Sequence, residues 1–500
     1  MGFGDGVAMV TNGGSQLALA SGPGRWVLAA TVLGSGMAFL DGTVVNVALP
    51  AIARELGGGL VTQQWVLDGY LLTLSALLLL GGALGDRYGR RIIFLIGLIA
   101  FTVASVVCGL APTGGALIGA RLLQGIGGAL LVPGSLALIN AVIQSSDRGK
   151  AVGSWAGLTG VASAAGPFVG GWLVDAVSWR WVFLLNIPLA IVAVWVVVRH
   201  VPESRPATSG SLDWVGAVAV TLGLTGVTYA LIEMPAHGWS PLVVVAAVVG
   251  VVCLVAFPLV ELRSPNPLLP MSLFRNAQFT GTNIVTIAVY GALGGAFFLL
   301  TLQLQQGVGY GALQAGLSTL PITIVMLLLS SRIGALAQRT GPRLPMTVGP
   351  IVAGVGLALM STIGPGGSFL VNVLPAVLVF GLGLSITVAP LTSTVLAGLD
   401  EAHVGAGSGA NNAISRVAGL ITVAVLPSIA GIQSSGDGDL GPGFDRAMLI
   451  SAGLCVIGGV IAFLTVRNAT RVQQHTLPSL NHGCQDPCTR VPTGSGASTG

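Results

Sequence analysis

A series of fourteen long apolar segments, spaced along almost the whole chain, is the feature that most constrains how this sequence can fold. A membrane-spanning helix needs about 20 mostly apolar residues, and each segment is about that long. Only 8% of the residues are charged, whereas soluble domains contain roughly 25%. The sequence therefore predicts an all-α integral membrane protein with fourteen transmembrane helices. The predicted spans are residues 27–49, 64–84, 92–111, 115–139, 151–174, 180–198, 214–233, 241–261, 280–303, 313–333, 344–363, 368–394, 406–431 and 446–466.

The composition also excludes whole classes of protein. A soluble multidomain enzyme, a disordered chain or a nucleic-acid-binding protein would need far more charged residues than these 500 positions contain. The lipid bilayer is therefore an expected partner, and nucleic acid is not. Lys150 is the only lysine among 21 basic residues, and Gly occupies 75 positions. This bias towards Arg and Gly indicates a GC-rich bacterial genome.

The basic residues between the segments predict the orientation of the chain. Cytoplasmic loops of membrane proteins carry an excess of Lys and Arg. Sixteen of the 21 basic residues fall on the side that holds both termini, and only Arg54, Arg180 and Arg446 fall on the other side. Both termini are therefore expected in the cytoplasm, with the first helix acting as an insertion signal that stays in the protein.

Two loops share a sequence motif, which indicates an internal repeat. The motif reads GALGDRYGRR at 82–91 and GALAQRTGPR at 334–343, with six of ten positions identical. The offset of 252 residues corresponds to eight of the predicted helices. Two parallel six-helix repeats with two extra helices between them explain this offset, and such repeats are a transporter architecture. The predicted parts are a cytoplasmic N-terminal segment 1–25, a six-helix bundle 26–199, two inserted helices 213–262, a second six-helix bundle 279–466 and a disordered cytoplasmic tail 467–500.

Several short motifs, in a fixed order along the chain, resemble those of a known family. They are LDGTVVNVALP (40–50), GALGDRYGRR (82–91), RLLQGIGGALLVP (121–133), GPFVGG (166–171), WRWVFLLNIP (179–188), LFRN (273–276), LQAGLSTLP (313–321) and SGANNAISRVAG (408–419). Over about residues 26–466 the chain resembles the major facilitator superfamily, in its fourteen-helix drug:proton antiporter branch of the multidrug and quaternary-ammonium efflux type. The resemblance implies the two-bundle fold and export of small molecules in exchange for protons.

Three charged side chains lie inside predicted spans at a similar depth: Asp41, Asp68 and Arg121. A charge inside a span costs about 2.5–3.5 kcal/mol on insertion scales, so such residues pair or line a path for ions. Two carboxylates and one guanidinium at one level predict a cluster that is nearly neutral when one acid holds a proton. The resemblance assigns a proton-coupling role to Asp41 and Arg121, and matches Asp68 to an acid of some cation-exporting members. The alternatives are an ion pair that only holds the bundle together, and an Asp68 side chain that reaches the outer interface.

Two further motifs have both a structural and a functional interpretation. Loop charges set membrane topology. Asp86 can also dock at the N-terminus of a neighbouring helix, where the helix dipole favours an anion, in only one of the two access states. The resemblance implies a conformational lock, which must be weaker or differently built in the second copy, where Gln338 replaces the acid. The lock residues are Asp86, Arg87, Gly89, Arg90, Arg339 and Gly341.

Glycines of the fifth span recur at three- and four-residue spacing, which favours close helix packing. The resemblance identifies this stretch as the antiporter motif, which seals a helix interface; packing of any other kind explains the glycines as well. The motif residues are Gly157, Gly166, Pro167, Gly170 and Gly171.

Polar residues inside several spans are candidates for a substrate cavity, although polar packing contacts between helices explain them equally well. They are Asn46, Gln303, Asn411, Asn412 and Arg416. No Walker-type phosphate loop is present, and Cys484 and Cys488 with His482 have an incomplete metal-ligand spacing. We therefore expect no metal, no cofactor and no enzymatic activity.

These observations predict a proton-coupled efflux transporter that exports amphiphilic small molecules or drugs by alternating access. It is expected to lie in the bacterial plasma (inner) membrane as a multi-pass monomer that confers antibiotic resistance. One alternative is a dedicated self-resistance exporter of one antibiotic or secreted metabolite. An alternative of another class is a non-transporting membrane sensor or a channel.

Overall fold

The computed structural model describes residues 17–205, 211–397, 399, 404–432 and 440–468. Its helices are α1 (Gly22–Leu56), α2 (Gly59–Tyr88), α3 (Arg90–Gly109), α4 (Gly114–Val142), α5 (Ser145–Ala176), α6 (Trp181–Leu184), α7 (Asn186–His200), α8 (Trp214–His237), α9 (Pro241–Arg263), α10 (Ala277–Leu302), α11 (Ala312–Thr340), α12 (Arg343–Met360), α13 (Leu374–Ala397), α14 (Val404–Ile429) and α15 (Gly441–Thr465). Fourteen spans in this part of the chain are long and apolar enough to cross a membrane, which confirms the predicted number. The sixth span consists of α6 and α7 together.

The helices extend beyond the predicted apolar runs, because a helix continues until its ends are capped. α1 runs from Gly22 to Leu56 rather than over 27–49 only: the Ser21 side chain accepts a hydrogen bond from the backbone N–H of Gly24 at its start. Gly57, with φ of 77°, ends the helix. Described residues up to Arg467 form one compact unit. Most of the predicted tail, with Cys484 and Cys488, lies outside the described residues.

Two groups of helices pack mainly among themselves. α1 to α7 form one bundle, in which α4 lies against α2 and α3, and α1 against α5 and α7. α10 to α15 form the other bundle, in which α12 lies against α13 and α15, and α10 against α14 and α15. The fold is thus the predicted pair of six-span bundles with two inserted helices. The residue limits assigned to each part stay a prediction.

The inserted helices α8 and α9 form a close pair beside the two bundles. Gly226 of α8 faces Gly250 of α9, where a side chain would collide with backbone. α8 contacts both α2 and α14, and the indole nitrogen of Trp65 on α2 donates a 2.6 Å hydrogen bond to Glu233 on α8. Most apolar side chains of α9 are exposed, as expected of a helix that faces lipid.

The two copies of the loop motif have the same backbone geometry. Gly89 ends α2 with φ of 114°, and Gly341 ends α11 with φ of 90°; both conformations favour glycine. Their N–H groups donate to Gly85 and Ala337, four residues earlier in each case. α2 and α11 are the second and tenth spans, so the repeat relates helices eight spans apart.

The fourteen spans return the chain to the membrane face at which it starts. We call this face, where α1 begins and α15 ends, the terminal face, and the other the opposite face.

Candidate functional site

A buried ion pair joins α1 and α4 inside the first bundle. Asp41 and Arg121 are both fully buried, and Nη1 of Arg121 lies 2.5 Å from Oδ2 of Asp41. Nε of Arg121 donates to the carbonyl oxygen of Val66 on α2 at 2.9 Å. The pairing predicted from the sequence is therefore present, and it fixes three helices of the bundle to one another.

Neutral side chains complete the shell of Asp41. Nε2 of Gln124 donates to its Oδ1 at 2.7 Å, and Nδ2 of Asn186 approaches the same oxygen at 3.4 Å. Ser105 accepts a 2.9 Å hydrogen bond from Asn186 and donates to the carbonyl oxygen of Phe183 at 2.9 Å. Both carboxylate oxygens of the buried Asp41 side chain thus have hydrogen-bond partners within the protein.

Aromatic rings enclose the guanidinium of Arg121. Its Cζ lies 4.4 Å from the ring centre of Tyr70 and 5.7 Å from that of Phe183. Nη2 has no hydrogen-bond partner among the described residues. Because a buried cation gains from the negative face of an aromatic ring, these rings replace part of the lost hydration.

Asp68 does not join this pair. It is fully buried, but neither carboxylate oxygen has a hydrogen-bond partner in the described part of the chain. It lies on the face of α2 that carries Gln64 and Leu72, one turn to either side; Gln64 donates to carbonyl oxygens of α14, and Leu72 packs against α8 and α14. The prediction of one three-residue cluster is therefore wrong, because equal depth does not specify the helix face.

A cavity of about 690 Å³ lies between the two bundles. α1, α2 and α5 line it from one side, and α10, α11, α13 and α14 from the other. Most of the lining is apolar, with scattered hydroxyl groups such as those of Thr43, Thr319 and Ser415. Arg416 is the only charged residue among the described residues that line it. This size and lining suit an amphiphilic molecule of drug size.

Only some of the predicted polar candidates reach the cavity. Asn46 and Arg416 line it. Asn412 accepts a 3.0 Å hydrogen bond from Nε of Arg416 and so orients that side chain. Asn411 instead binds Asn283 and Thr286 of α10.

Gln303 is also placed away from the cavity lining. It is buried and donates to the carbonyl oxygen of Ile363 at 2.9 Å. For Gln303 and Asn411, the alternative of polar packing between helices is therefore the one that the structure supports.

The glycines of α5 divide into two groups. Gly166 and Gly170 lie against Thr43 and Val44 of α1, and a Cβ on Gly171 would lie 2.6 Å from the backbone of α11. A Cβ on Gly157 would meet nothing within 4 Å, because Gly157 borders the cavity. The predicted close packing is therefore correct towards the opposite face and wrong at Gly157.

The backbones of α5 and α11 also meet at Pro167, whose carbonyl oxygen lies where a side chain on Gly316 would be. The cavity extends from this contact towards the terminal face, along Gly160 of α5 and Ser330 of α11.

Three sets of hydrogen bonds close the bundles against each other at the opposite face. Asp175, at the end of α5, accepts hydrogen bonds from the N–H groups of Ala312 and Leu313, at 3.1 and 2.8 Å. Gln305 donates to the carbonyl oxygen of Val47 at 2.9 Å. The hydrogen bonds from Gln64 to α14 form the third set. Asp175 binds the first turn of α11, where free N–H groups and the helix dipole favour an anion.

Replacing Asp175 by Ala is expected to open the opposite face more often, because α11 loses its capping acid. A capping interaction contributes about 1 kcal/mol, so the open population should rise roughly fivefold. The reaction rate of Asn46→Cys with an impermeant thiol reagent measures this population, in a chain whose five native cysteines are replaced by Ser. Asp175→Asn, which keeps one acceptor oxygen, should give a smaller increase. An unchanged rate in Asp175→Ala would contradict a closing role.

The loop motif at the terminal face forms local contacts. Nε of Arg90 lies 2.8 Å from Oδ1 of Asp86, both partly exposed. Glu203, rather than Asp86, caps α3: its carboxylate accepts from the N–H groups of Arg91 and Ile92 at 3.1 and 3.3 Å. In this conformation Asp86 therefore does not bind a helix N-terminus among the described residues.

The other predicted lock residues do not form a shared network of contacts among the described residues. The guanidinium of Arg87 lies 5.6 Å from the ring of Tyr88. In the second copy Arg339 is exposed and forms no ion pair with described residues, while Gly341 ends α11 as described above.

Several residues of this site were not predicted, among them Tyr70, Gln124, Asp175 and Asn186. Gln124 follows Arg121 by three residues, which puts both side chains on one face of α4; this spacing is a usable signal. Asn186 lies within the motif WRWVFLLNIP. The partners of Tyr70 and Asp175 are far away in the sequence, so only the fold reveals them.

Comparison with known proteins gives a consistent result. Residues 31–423 match the family model described as Major Facilitator Superfamily. The chain is 34% identical to the methylenomycin A resistance protein of Bacillus subtilis over 466 residues, which cover 93% of this chain and 99% of that protein. It is also 34% identical to the puromycin resistance protein of Streptomyces alboniger, over 91% of this chain and 94% of that one.

Solved structures give the same result for the fold. A crystal structure of a POT family transporter superimposes with a TM-score of 0.68 at 14% identity, over 88% of this chain and 95% of that chain. At this identity the likeness concerns the fold alone.

Proposed function

Because the chain belongs to the major facilitator superfamily, we propose that it is a proton-coupled efflux transporter that exports amphiphilic small molecules by alternating access. One observation carries the proposal: a largely apolar cavity lies between two bundles that are closed at one face, beside a buried carboxylate–guanidinium pair. Relatives named for resistance to methylenomycin A and to puromycin support export as the direction of transport.

We assign the terminal face to the cytoplasm and the protein to the bacterial plasma membrane. The excess of basic residues in the loops of that face supports this orientation. The cavity lies on the cytoplasmic side of the contacts between α5 and α11, so the conformation described here is the one that takes up cargo from the cell. We treat the monomer as the functional unit, because the cavity is formed within one chain.

Asp41 is the proton-binding group in this proposal. When it takes up a proton, Arg121 loses its counter-charge but keeps its hydrogen bonds to the side chain of Gln124 and the backbone of Val66. The helices that this pair joins are then free to shift. The ring of Tyr70 lies between Arg121 and the cavity, because it contacts the guanidinium and also lines the cavity.

Asp68 is the second proposed proton-binding group. Burying a charged carboxylate without a partner is costly, which supports a role for Asp68 in taking up a proton. Asp68 shares a face of α2 with Gln64, which binds α14. In this proposal the two bundles slide against each other at this face, and Asp68 releases its proton when the contact opens to water.

The motifs keep conformational roles in this scheme. Asp86, Arg87, Gly89 and Arg90 act as a lock at the cytoplasmic face when the cavity turns outward. Gly166, Gly170 and Gly171 allow the close contacts that seal the outer face before the cavity accepts cargo.

The proton gradient supplies enough free energy for this task. One charge that crosses about 150 mV releases roughly 3.5 kcal/mol. This corresponds to a cargo gradient of a few hundredfold at about 1.4 kcal/mol per decade.

A dedicated exporter of one antibiotic is the second candidate function. The names of the two relatives given above favour it, since each of the two refers to resistance to a single compound. A susceptibility panel in a host that lacks its own pumps separates the two functions. Resistance to one compound alone would indicate a dedicated exporter, and resistance to several unrelated compounds would indicate a multidrug pump.

Collapse of the proton gradient is expected to stop net export. In proteoliposomes that hold the purified chain, a protonophore should reduce uphill accumulation of a cargo found in the panel to the level of protein-free liposomes. Cargo-dependent release of protons should accompany transport. Uphill accumulation that survives the protonophore would contradict proton coupling, and a conductance far above carrier turnover would identify a channel instead.

A further inference from the structure

Arg416 is a charged side chain in the cavity whose hydrogen-bonding capacity is mostly unused. Only its Nε is bound, to Oδ1 of Asn412 at 3.0 Å. Nη1 and Nη2 form no hydrogen bond with the described residues. The guanidinium also lies 5.5 Å from the ring centre of Phe39 on α1. One contact from its own helix and one from the other bundle thus hold the side chain at a fixed place in the cavity wall.

This cation has no acidic partner. No carboxylate among the described residues lies within ion-pair distance of it, in contrast with Arg121, which is paired with Asp41. Cationic side chains in a membrane interior are expensive and are retained when they pair or contact an ion or substrate. The guanidinium of Arg416 must therefore be solvated by water or be paired with an anionic molecule in the cavity.

We propose that Arg416 binds an anionic group of the cargo, and that the transported molecules are amphiphilic acids: a carboxylate or a similar oxyanion attached to an apolar body. This inference rests on the proposed function and specifies its substrate class. Two free guanidinium nitrogens form the fork that fits a carboxylate through two parallel hydrogen bonds.

The rest of the cavity fits the same class of molecule. Leu293, Phe297 and Met326 are among the apolar side chains that would contact the body of the cargo. No described acid lines the cavity, so a cationic cargo would find only the like charge of Arg416. A bound carboxylate neutralises the charge of Arg416. The two bundles can then move between their inward-facing and outward-facing arrangements without an unpaired charge in the cavity.

Binding to the purified full chain in the absence of any gradient tests this inference separately from proton coupling. The probes are matched sets with a pyrene body: pyrenebutyrate, its neutral methyl ester and a quaternary-ammonium analogue, together with three further carboxylate and ester pairs of different size. Wild type should bind the carboxylates at least about tenfold more tightly than their esters, as a charge-assisted bidentate contact implies.

Three variants identify the residue responsible. Arg416→Gln should remove the preference for the carboxylate and leave ester binding unchanged, which also demonstrates that the variant is folded. Arg416→Lys should keep part of the preference, since the charge stays but the fork is lost. Arg332→Gln removes one exposed basic residue outside the cavity lining and should behave as wild type.

Several results would overturn the inference: esters or the cation bound as tightly as the carboxylates, no carboxylate of the set bound at all, or an Arg416→Gln variant that keeps the preference. Failure of the proposed function is distinguishable, since a chain that binds carboxylates through Arg416 but shows no gradient-driven transport would retain this inference and lose proton-coupled export.

Discussion

Asp41→Asn is expected to reduce proton-driven export to the level of protein-free liposomes while the protein still inserts into the membrane. Asn can keep the hydrogen bond from Gln124, but it cannot take up and release a proton. The exchange of labelled for unlabelled cargo without a gradient should persist, because Asp41 does not line the cavity. Export and exchange measured in the same proteoliposomes separate the loss of coupling from the loss of binding.

A second variant separates the coupling role of Asp41 from a purely structural role. Removing one partner of a buried pair leaves the other uncompensated, at a cost of about 3–5 kcal/mol, so Asp41→Asn should also lower the Tm. The double variant Asp41→Asn, Arg121→Gln removes both charges and should recover part of the Tm without recovering export. Asp445→Asn, the same change at an exposed site, is the matched control. Full drug/proton exchange by Asp41→Asn would refute the assignment, and recovery of export in the double variant would reduce the pair to a structural contact.

Gly171→Ala is expected to abolish export through steric conflict alone. The new methyl group would lie 2.6 Å from the carbonyl oxygen of Ala312 and from Cα of Leu313. These are backbone atoms, so α5 and α11 have to separate, and overpacking of this kind costs about 1–3 kcal/mol. The opposite face should then close poorly, so that uphill export is lost and passive leakage of cargo rises.

The matched control for Gly171→Ala lies on the same helix. Gly153→Ala makes the identical change at an exposed position outside the cavity lining, where the methyl group meets nothing within 4 Å. Ala also favours a helix over Gly by about 1 kcal/mol. Its export and Tm should equal or exceed those of wild type. Equal export by the two variants would show that the contact between α5 and α11 is not needed for sealing.

The fold was largely predictable because the membrane imposes a simple rule on the sequence. Each span needs a long apolar run, and the fourteen runs are separated by polar or glycine-rich turns, so their number followed from inspection. Helix ends were less predictable: α1 continues to Leu56 beyond Pro50, since its end depends on Gly57 rather than on hydropathy.

The candidate site was only half predictable. Asp41 and Arg121 were correctly paired, because isolated charges in apolar spans have few ways to be neutralised. Asp68 was misplaced because depth along a helix carries no information on which neighbour a side chain faces. The closure by Asp175 depends on a contact between residues 137 positions apart, which no local pattern encodes.

The position of Tyr70 has a thermodynamic consequence. The proposed proton-binding group, Asp41, belongs to the first bundle, and the proposed anion receptor, Arg416, belongs to the second. The ring of Tyr70 lies against Arg121 and also lines the cavity. Thermodynamic linkage is reciprocal. If bound cargo changes the affinity of Asp41 for a proton by some factor, binding of that proton changes the affinity for the cargo by the same factor. A titration of cargo binding at several pH values, on solubilised protein without a membrane, would therefore give the size of the coupling directly.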